Sequence, residues 1–203
     1  MSRIDIILGS GSPRRKEMMK ALGFKFTAVA PNIEEVSEKQ IPVDICEDIS
    51  RKKFDFLVKN GVDKSSIGIT GDTIVCVGNT VFGKAEDYQS AKETLLYLSG
   101  REHEVISSLT IGDLRGDFVL TSSEITRVKF RSLSSNEIDI YLDYASYKDK
   151  AGSYGIQDPH CFFVSQITGS LSNVIGLPIE LLKLQLTQIL RSKYKKNDWQ
   201  DLL

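Results

Sequence analysis

Residues 9–24 read "GSGSPRRKEMMKALGF": small residues lead into a proline, two adjacent arginines and an amphipathic helix pattern. Just before it, Ile4 to Leu8 is an apolar run with the length of a buried strand. Ser12 stands where a helix N-cap belongs, and Pro13 where the first helical residue belongs. Met18, Met19 and Leu22 follow at helical spacing, and Gly23 supplies a stop. A strand, a tight Gly/Ser loop and a helix N-terminus together make a place for an anion. The first N–H groups of a helix lack helical partners, and the peptide dipoles add roughly half a positive charge there. Arg14 and Arg15 put still more positive charge at that end. They cost about a few tenths of a kcal/mol unless something negative sits close by. Two readings stand: a phosphate site with planar, multidentate donors, or a solvent-facing basic turn.

Outward from this stretch, Phe24 to Ala30 reads as a second strand, and Pro42 opens a helix to about Lys59. Ile67 to Val77 is an apolar strand, and Gly78-Asn79 turns it into Thr80–Phe82. Asp87 to Ser99 reads as a helix stopped by Gly100, and His103–Ile111 with Phe118–Phe130 as a long antiparallel pair. Ser134 and Glu137 form a capping box for the next helix. The loop "DKAGSYGIQDPH" leads into a strand, "CFFVSQITGS". Pro178 starts the last helix, with Leu181, Leu182, Gln185 and Ile189 on neighbouring turns. Strands and helices alternate early and hairpins dominate the middle, which predicts an α/β fold with a mixed sheet. No linker divides the chain, so residues 1–203 read as a single domain.

The 203 residues can bury a sizeable core. A net charge of −1 predicts no general attraction to nucleic acid, so any anion site is a local cluster. Cys46, Cys76 and Cys161 are odd in number and form no CxxC pair, which fits a reducing cytoplasm. The first residues lack the apolar core of a signal peptide, and no run approaches the roughly 20 apolar residues of a membrane span. No membrane partner is expected. The tail "RSKYKKNDWQDLL" reads as a solvated helix end.

Several charges stand in unusual places. Asp72 interrupts the apolar run "IGITGDTIVCVG", where a carboxylate is costly unless paired, cation-bound or at an edge. Lys53 shares the apolar stripe marked by Cys46, Ile49, Phe56 and Leu57, either snorkelling at the core's edge or reaching a partner. "NIEEVSE" is an acidic cluster, a solvated turn or a source of oxygen ligands for a hard divalent cation. "GSGSPR" has Arg14 where a dinucleotide fingerprint needs its third glycine. "GNTVFGKA" has Ala85 where a P-loop needs Ser or Thr, which leaves Lys84 only as a candidate phosphate contact. No HExxH, GxSxG or Cys/His pairing appears, and His103 and His160 read as core or surface residues. Cations for phosphates remain, with carboxylates for a metal or a base: the equipment of metal-assisted phosphate chemistry.

"SGSPRRKEMMKALG", "GDTIV", "FGK", "LSGREHEV", "KAGSYGIQ" and "NVIGLP" occur here in the order seen in the Maf family, the septum-formation-inhibitor-like nucleotide pyrophosphatases. The resemblance spans nearly the whole chain. It implies a cytoplasmic enzyme, dependent on a divalent cation such as Mg, Mn or Co. The reaction cleaves a nucleoside triphosphate between the α and β phosphates. It also implies an elongated mixed sheet flanked by helices, the inosine-triphosphatase-like fold, with a cleft between two lobes, and commonly a homodimer. The chain is most similar to the branch acting on dTTP and UTP. By this resemblance Asp72 is the proton acceptor, and Ser10, Arg15, Glu35, Lys53 and Lys84 complete the phosphate and metal site. The metal ligands are Asp72 and Glu35, with Glu34 adjacent. Arg14, Thr73 and Gln157 match positions tied to substrate choice. Ala85 replaces a usual proline, and Lys52 and Phe54 flank Lys53 where smaller or acidic residues are typical. Asp158-Pro159 follows Gln157 where glycine is usual, which bears on the base pocket. The alternatives are the same reaction on 7-methyl-GTP or a deaminated purine nucleotide, and a nucleotide-binding regulator of cell division without important turnover.

Overall fold

The computed structural model describes residues 4–60 and 63–203. Strand β1 (Ile6–Gly9) is buried along its length and pairs in parallel with β2 (Thr27–Val29) on one side and β3 (Ile67–Val77) on the other. Beyond β3 the sheet turns antiparallel. β3 pairs with β5 (Glu102–Asp113), β5 with β6 (Val119–Phe130), and β6 with β7 (Val164–Thr168). β4 (Thr80–Phe82) folds back on the far end of β3 through the expected Gly78-Asn79 turn. The expected mixed α/β sheet is therefore present, in the order β2-β1-β3-β5-β6-β7.

The edge of β3 between its two partners positions everything that follows. Pairing with β1 ends at Gly9–Thr70, and pairing with β4 begins only at Val75–Phe82. Gly71 to Ile74 thus have no strand neighbour on that side among the described residues. The chain leaves β1 toward β2 one way, while β3 lies the other way. A crevice outside the carboxyl ends of parallel strands opens at such a switch point.

Helices cover both faces. Helix α1 (Pro13–Ala21) and α6 (Ile179–Ile189) pack on one face, where Leu8, Met19, Ile69, Leu109, Leu182 and Leu186 share a core. Helix α2 (Pro42–Lys59) covers the other, with Cys46 against Ile74, Cys76 and Ile106, and Leu57 with Phe54. Further along the long strands, α3 (Tyr88–Leu98) and α4 (Ser135–Tyr144) bury Leu95, Ile138 and Tyr141 with Val128, Phe130 and Phe163 in a second centre. A cleft opens between the N-terminus of α1 and the loop that follows α4, in line with the cleft expected.

Several boundaries differ from the sequence reading. The second strand shrinks to three residues because Phe24 turns into the core beside Trp199. Ser12 is at the N-cap of α1, but its side chain makes no cap hydrogen bond; its own N–H donates to Ser10 Oγ at 3.2 Å. On α2 the buried stripe runs through Phe54 rather than Phe56. The Phe54 ring lies where a Cβ on Gly68 or Gly112 would come within 2.9 Å, so two bare strand positions make its space. A short helix, α5 (Leu171–Ile175), follows β7; Ser170 Oγ caps it and Gly176, at φ 111°, ends it in a left-handed turn.

Candidate active site

All nine residues singled out from the sequence line one cleft of about 460 Å³: Ser10, Arg14, Arg15, Glu35, Lys53, Asp72, Thr73, Lys84 and Gln157. The lining carries six cationic side chains (Arg14, Arg15, Lys53, Lys84, Lys148, Lys150) against four carboxylates (Glu35, Asp72, Asp149, Asp158). A protein of net charge −1 therefore concentrates positive charge in its cleft, the local arrangement that draws an anion in.

The two misplaced charges of the sequence explain each other. Period-2 alternation puts Thr70, Asp72 and Ile74 on the β3 face toward α2, and Thr70 Oγ1 donates to the carbonyl of Ser50 there. Helical spacing puts Lys53 one turn beyond Ile49 on the same buried stripe. The ammonium of Lys53 meets Asp72 Oδ1 at 2.7 Å and Glu35 Oε1 at 2.7 Å. Lys84, half-exposed, holds the other oxygen of Glu35 at 2.7 Å. Asp72 is on a central strand, not an outer one, and Lys53 is fully paired rather than snorkelling. Burial alone would raise the Glu35 pKa, but the hydrogen bonds and charges of Lys53 and Lys84 hold it down, to about 2. Of the adjacent pair, Glu35 enters the cleft; Glu34 lines a separate shallow groove with Lys52 and Phe56.

The arginines at the mouth of α1 divide their work. Arg15 is buried: its Nε donates to the Gly176 carbonyl at 2.8 Å, and its Nη2 donates to Thr73 Oγ1 at 2.8 Å. Burial pulls its pKa down, and the charge of Asp72 pulls the other way. Thr73 and Ser107 hydroxyls lie 2.9 Å apart, and Ser107 donates to the Asn173 carbonyl. The Thr73 proton is thereby committed to Ser107, and its oxygen fixes the Arg15 guanidinium. Arg14 turns instead across the cleft, to the Asp149 carboxylate at 2.9 Å and the Asp149 carbonyl at 2.8 Å. Burial would raise the Asp149 pKa, but Arg14 and Lys150 pull it below the usual carboxylate range.

Gln157 is exposed on the far wall, in the loop between α4 and β7. The start of that loop is pinned by backbone: Gly152 N–H donates to the carbonyls of Phe82 and Gly83, and Lys84 bridges Ala151. Gly152, at φ 67°, packs so close to Val75 that a Cβ would come within 2.8 Å. His103 and His160 take no part, as expected. His103 is buried, its Nε2 2.8 Å from the Tyr154 hydroxyl, and burial pushes its pKa down to about 4. His160 stacks on Tyr144 at the surface.

Glu35 and Asp72 converge on one ammonium at the cleft, and no group of three or more His, Cys, Asp or Glu able to hold a metal forms among the described residues. Two carboxylates facing an anion-binding cleft fit a hard divalent cation whose other ligands are water and substrate phosphates. They do not fit a closed structural metal cage. The sequence reading missed Asp149, the partner of Arg14, and Lys150 and Tyr141, which hold Asp158 beside Gln157; "DK" ahead of "AGSYGIQ" was the only local trace of the first two, and Tyr141 left none.

A mixed sheet with a net-positive crevice at its switch point, and paired carboxylates inside, defines an α/β protein built to hold a polyanion. A family model described as Maf-like protein matches residues 5–189, and the chain belongs to that family. It is 39% identical over 179 residues to a protein of Aliivibrio fischeri named dTTP/UTP pyrophosphatase, which covers 86% of this chain and 92% of that one. A protein of the same name from Thermosipho africanus is 40% identical over 174 residues, covering 86% and 87%. Another, from Syntrophomonas wolfei, is 37% identical over 191 residues, covering 92% of this chain and all of the relative.

Proposed function

We propose that this chain is a nucleoside triphosphate pyrophosphatase that hydrolyses dTTP and UTP to the monophosphate and pyrophosphate. The observation that carries the reading is the Glu35–Lys53–Asp72 cluster, with Lys84, in a cleft rich in cations. The relatives' shared name supports the choice of base. The triphosphate lies along the α1 N-terminus and the Lys53–Lys84 side, whose fixed cations stabilise charge on the phosphate oxygens and the leaving pyrophosphate. Lys53 holds Asp72 Oδ1, and Oδ2 takes the proton of the attacking water as general base. Glu35 and Asp72 would hold a divalent cation, Mg, Mn or Co. When bound, that ion screens the phosphates and lowers the pKa of coordinated water. Arg15, locked by Thr73 and Gly176 and with Nη1 3.5 Å from Ser10 Oγ, offers its guanidinium to the phosphates beside the loop after β1. Gln157 pairs its amide with the carbonyl and N–H edge of thymine or uracil. Three free thiols, two of them buried, support a reducing cytoplasm. No helix among the described residues is long and apolar enough to cross a membrane.

The test is a nucleotide panel at equal concentration with each metal. Pyrophosphate release fastest from dTTP and UTP is expected. Inorganic phosphate with a diphosphate product would overturn the α–β cleavage. Tight binding without any turnover would make the protein a nucleotide-binding regulator.

A further inference from the structure

Gln157 sits at the end of a turn closed by side chains rather than by the sheet. Tyr141, fully buried on α4, donates its hydroxyl to Asp158 Oδ2 at 2.6 Å. The same hydroxyl accepts the Gly155 N–H at 2.9 Å. Asp158 N–H in turn donates to the Gly155 carbonyl at 2.9 Å. The Lys150 ammonium, buried and held by the Ser146 carbonyl, stands 3.2 Å from Asp158 Oδ2. A Cβ on Gly155 would fall 2.7 Å from that carboxylate, so the turn closes against the Asp158 head group. Burial and the neighbouring carboxylate push the Tyr141 pKa up, which keeps its proton in place for Asp158.

We infer that Asp158 is a positioning residue: clamped by Tyr141 and Lys150, it fixes the 155–158 turn and so aims the Gln157 amide into the cleft. This rests on the reading of Gln157 as the group that meets the base. The first half of the loop is tied to β4 by backbone bonds; Gly155 to Asp158 have backbone bonds only within the loop, from Asp158 N–H to the Gly155 carbonyl and from Cys161 N–H to the Asp158 carbonyl, and their ties to the rest of the fold run through one carboxylate and one phenol. Without the carboxylate the turn gains freedom, and freedom in a reader costs selectivity before it costs chemistry.

The experiment uses the full chain and the variants Asp158→Ala and Tyr141→Phe, the second keeping the ring in its core. Steady-state kinetics with dTTP and dGTP are measured beside hydrogen exchange of the 155–158 amides. Faster exchange is expected in both variants. The dTTP-over-dGTP preference in kcat/KM should fall about tenfold, chiefly through a raised KM for dTTP, with kcat little changed. In a Gln157→Ala background, Asp158→Ala should change the preference no further, because the first residue acts through the second. Equal losses for both nucleotides, additive effects with Gln157→Ala, or faster exchange with selectivity intact would each overturn the assignment while leaving the pyrophosphatase reading in place. Wild-type protein that turns over neither pyrimidine nucleotide would sink that reading, and this inference with it.

Discussion

The two ends of the cleft are made differently. At one end Asp72 projects from a central strand and Lys53 from an eighteen-residue helix, and both are buried. At the other, Asp149, Gln157 and Asp158 belong to a loop that side-chain pairs hold in place. Phosphates are the same in every nucleotide, so the groups that meet them gain from rigid elements and fixed dipoles. Bases differ, and a loop can change its reader without disturbing the sheet. On the proposed reading, Asp72 on β3 and Lys53 on α2, joined by Glu35 from the segment before α2, would serve the phosphates, while Gln157 in the loop from 149 to 158 would meet the base.

The sharpest way to break this division is Asp72→Asn, which keeps size and removes charge. Turnover should fall about 10²–10⁴-fold for every nucleotide alike, with circular dichroism unchanged. A folded variant retaining more than about a tenth of wild-type turnover would take Asp72 out of the reaction.

Gln157→Ala probes the other end. Losing one base hydrogen bond and leaving its partner unpaired should cost about 1–3 kcal/mol in kcat/KM for dTTP and UTP. Purine nucleotides, already poor, should change little, so the preference flattens. An equal fall across the panel would move Gln157 to the phosphate side and collapse the distinction between the ends.

The smallest expected effects are in stability against pH, and Glu35 in the cleft and His103, buried beside Tyr154, should show them in separate windows. Glu35 has its pKa lowered from 4.5 to about 2. Its contribution is therefore whole above 4.5 and is lost as pH falls toward about 2. Glu35→Gln should flatten the denaturation curve in that range. His103, in the α3/α4 body, is lowered from 6.5 to about 4 by burial. The unfolded chain takes up this proton first, so stability falls as pH drops from 6.5 to about 4. Titrating the His103 imidazole by NMR in the folded protein checks the value directly. A midpoint near 6.5 would contradict its burial.

The same division decided what the sequence made legible. Asp72 and Lys53 stood out because a charge inside an apolar period is costly, and the cost points to a partner. Arg14 and Arg15 stood out because a helix N-terminus repels them. Each anomaly sits within one regular element, where spacing carries information. The pairs Arg14–Asp149 and Tyr141–Asp158 could not be read, since loop contacts obey no period. Helix α5 is five residues long, too short to show one. Phe54 and Phe56 could each have joined the stripe of α2. The choice lies in the room left by Gly68 and Gly112 on other strands.

The unpartnered stretch of β3, Gly71 to Ile74, has a consequence for how the protein behaves in a crowd. The strand Ile-Gly-Ile-Thr-Gly-Asp-Thr-Ile-Val-Cys-Val is the kind of segment that stacks with identical strands once unfolding uncovers it; in the folded protein all but Thr73 and Val77 are buried. Its only charged residue is Asp72, inside the gap itself. Stacking copies in register would bring those carboxylates together without their lysines, and like charges directly opposite one another resist pairing. On the proposed reading, the carboxylate that serves the reaction would thus also guard an unfolding chain against self-assembly, and a neutral residue at position 72 would remove the base and that guard together.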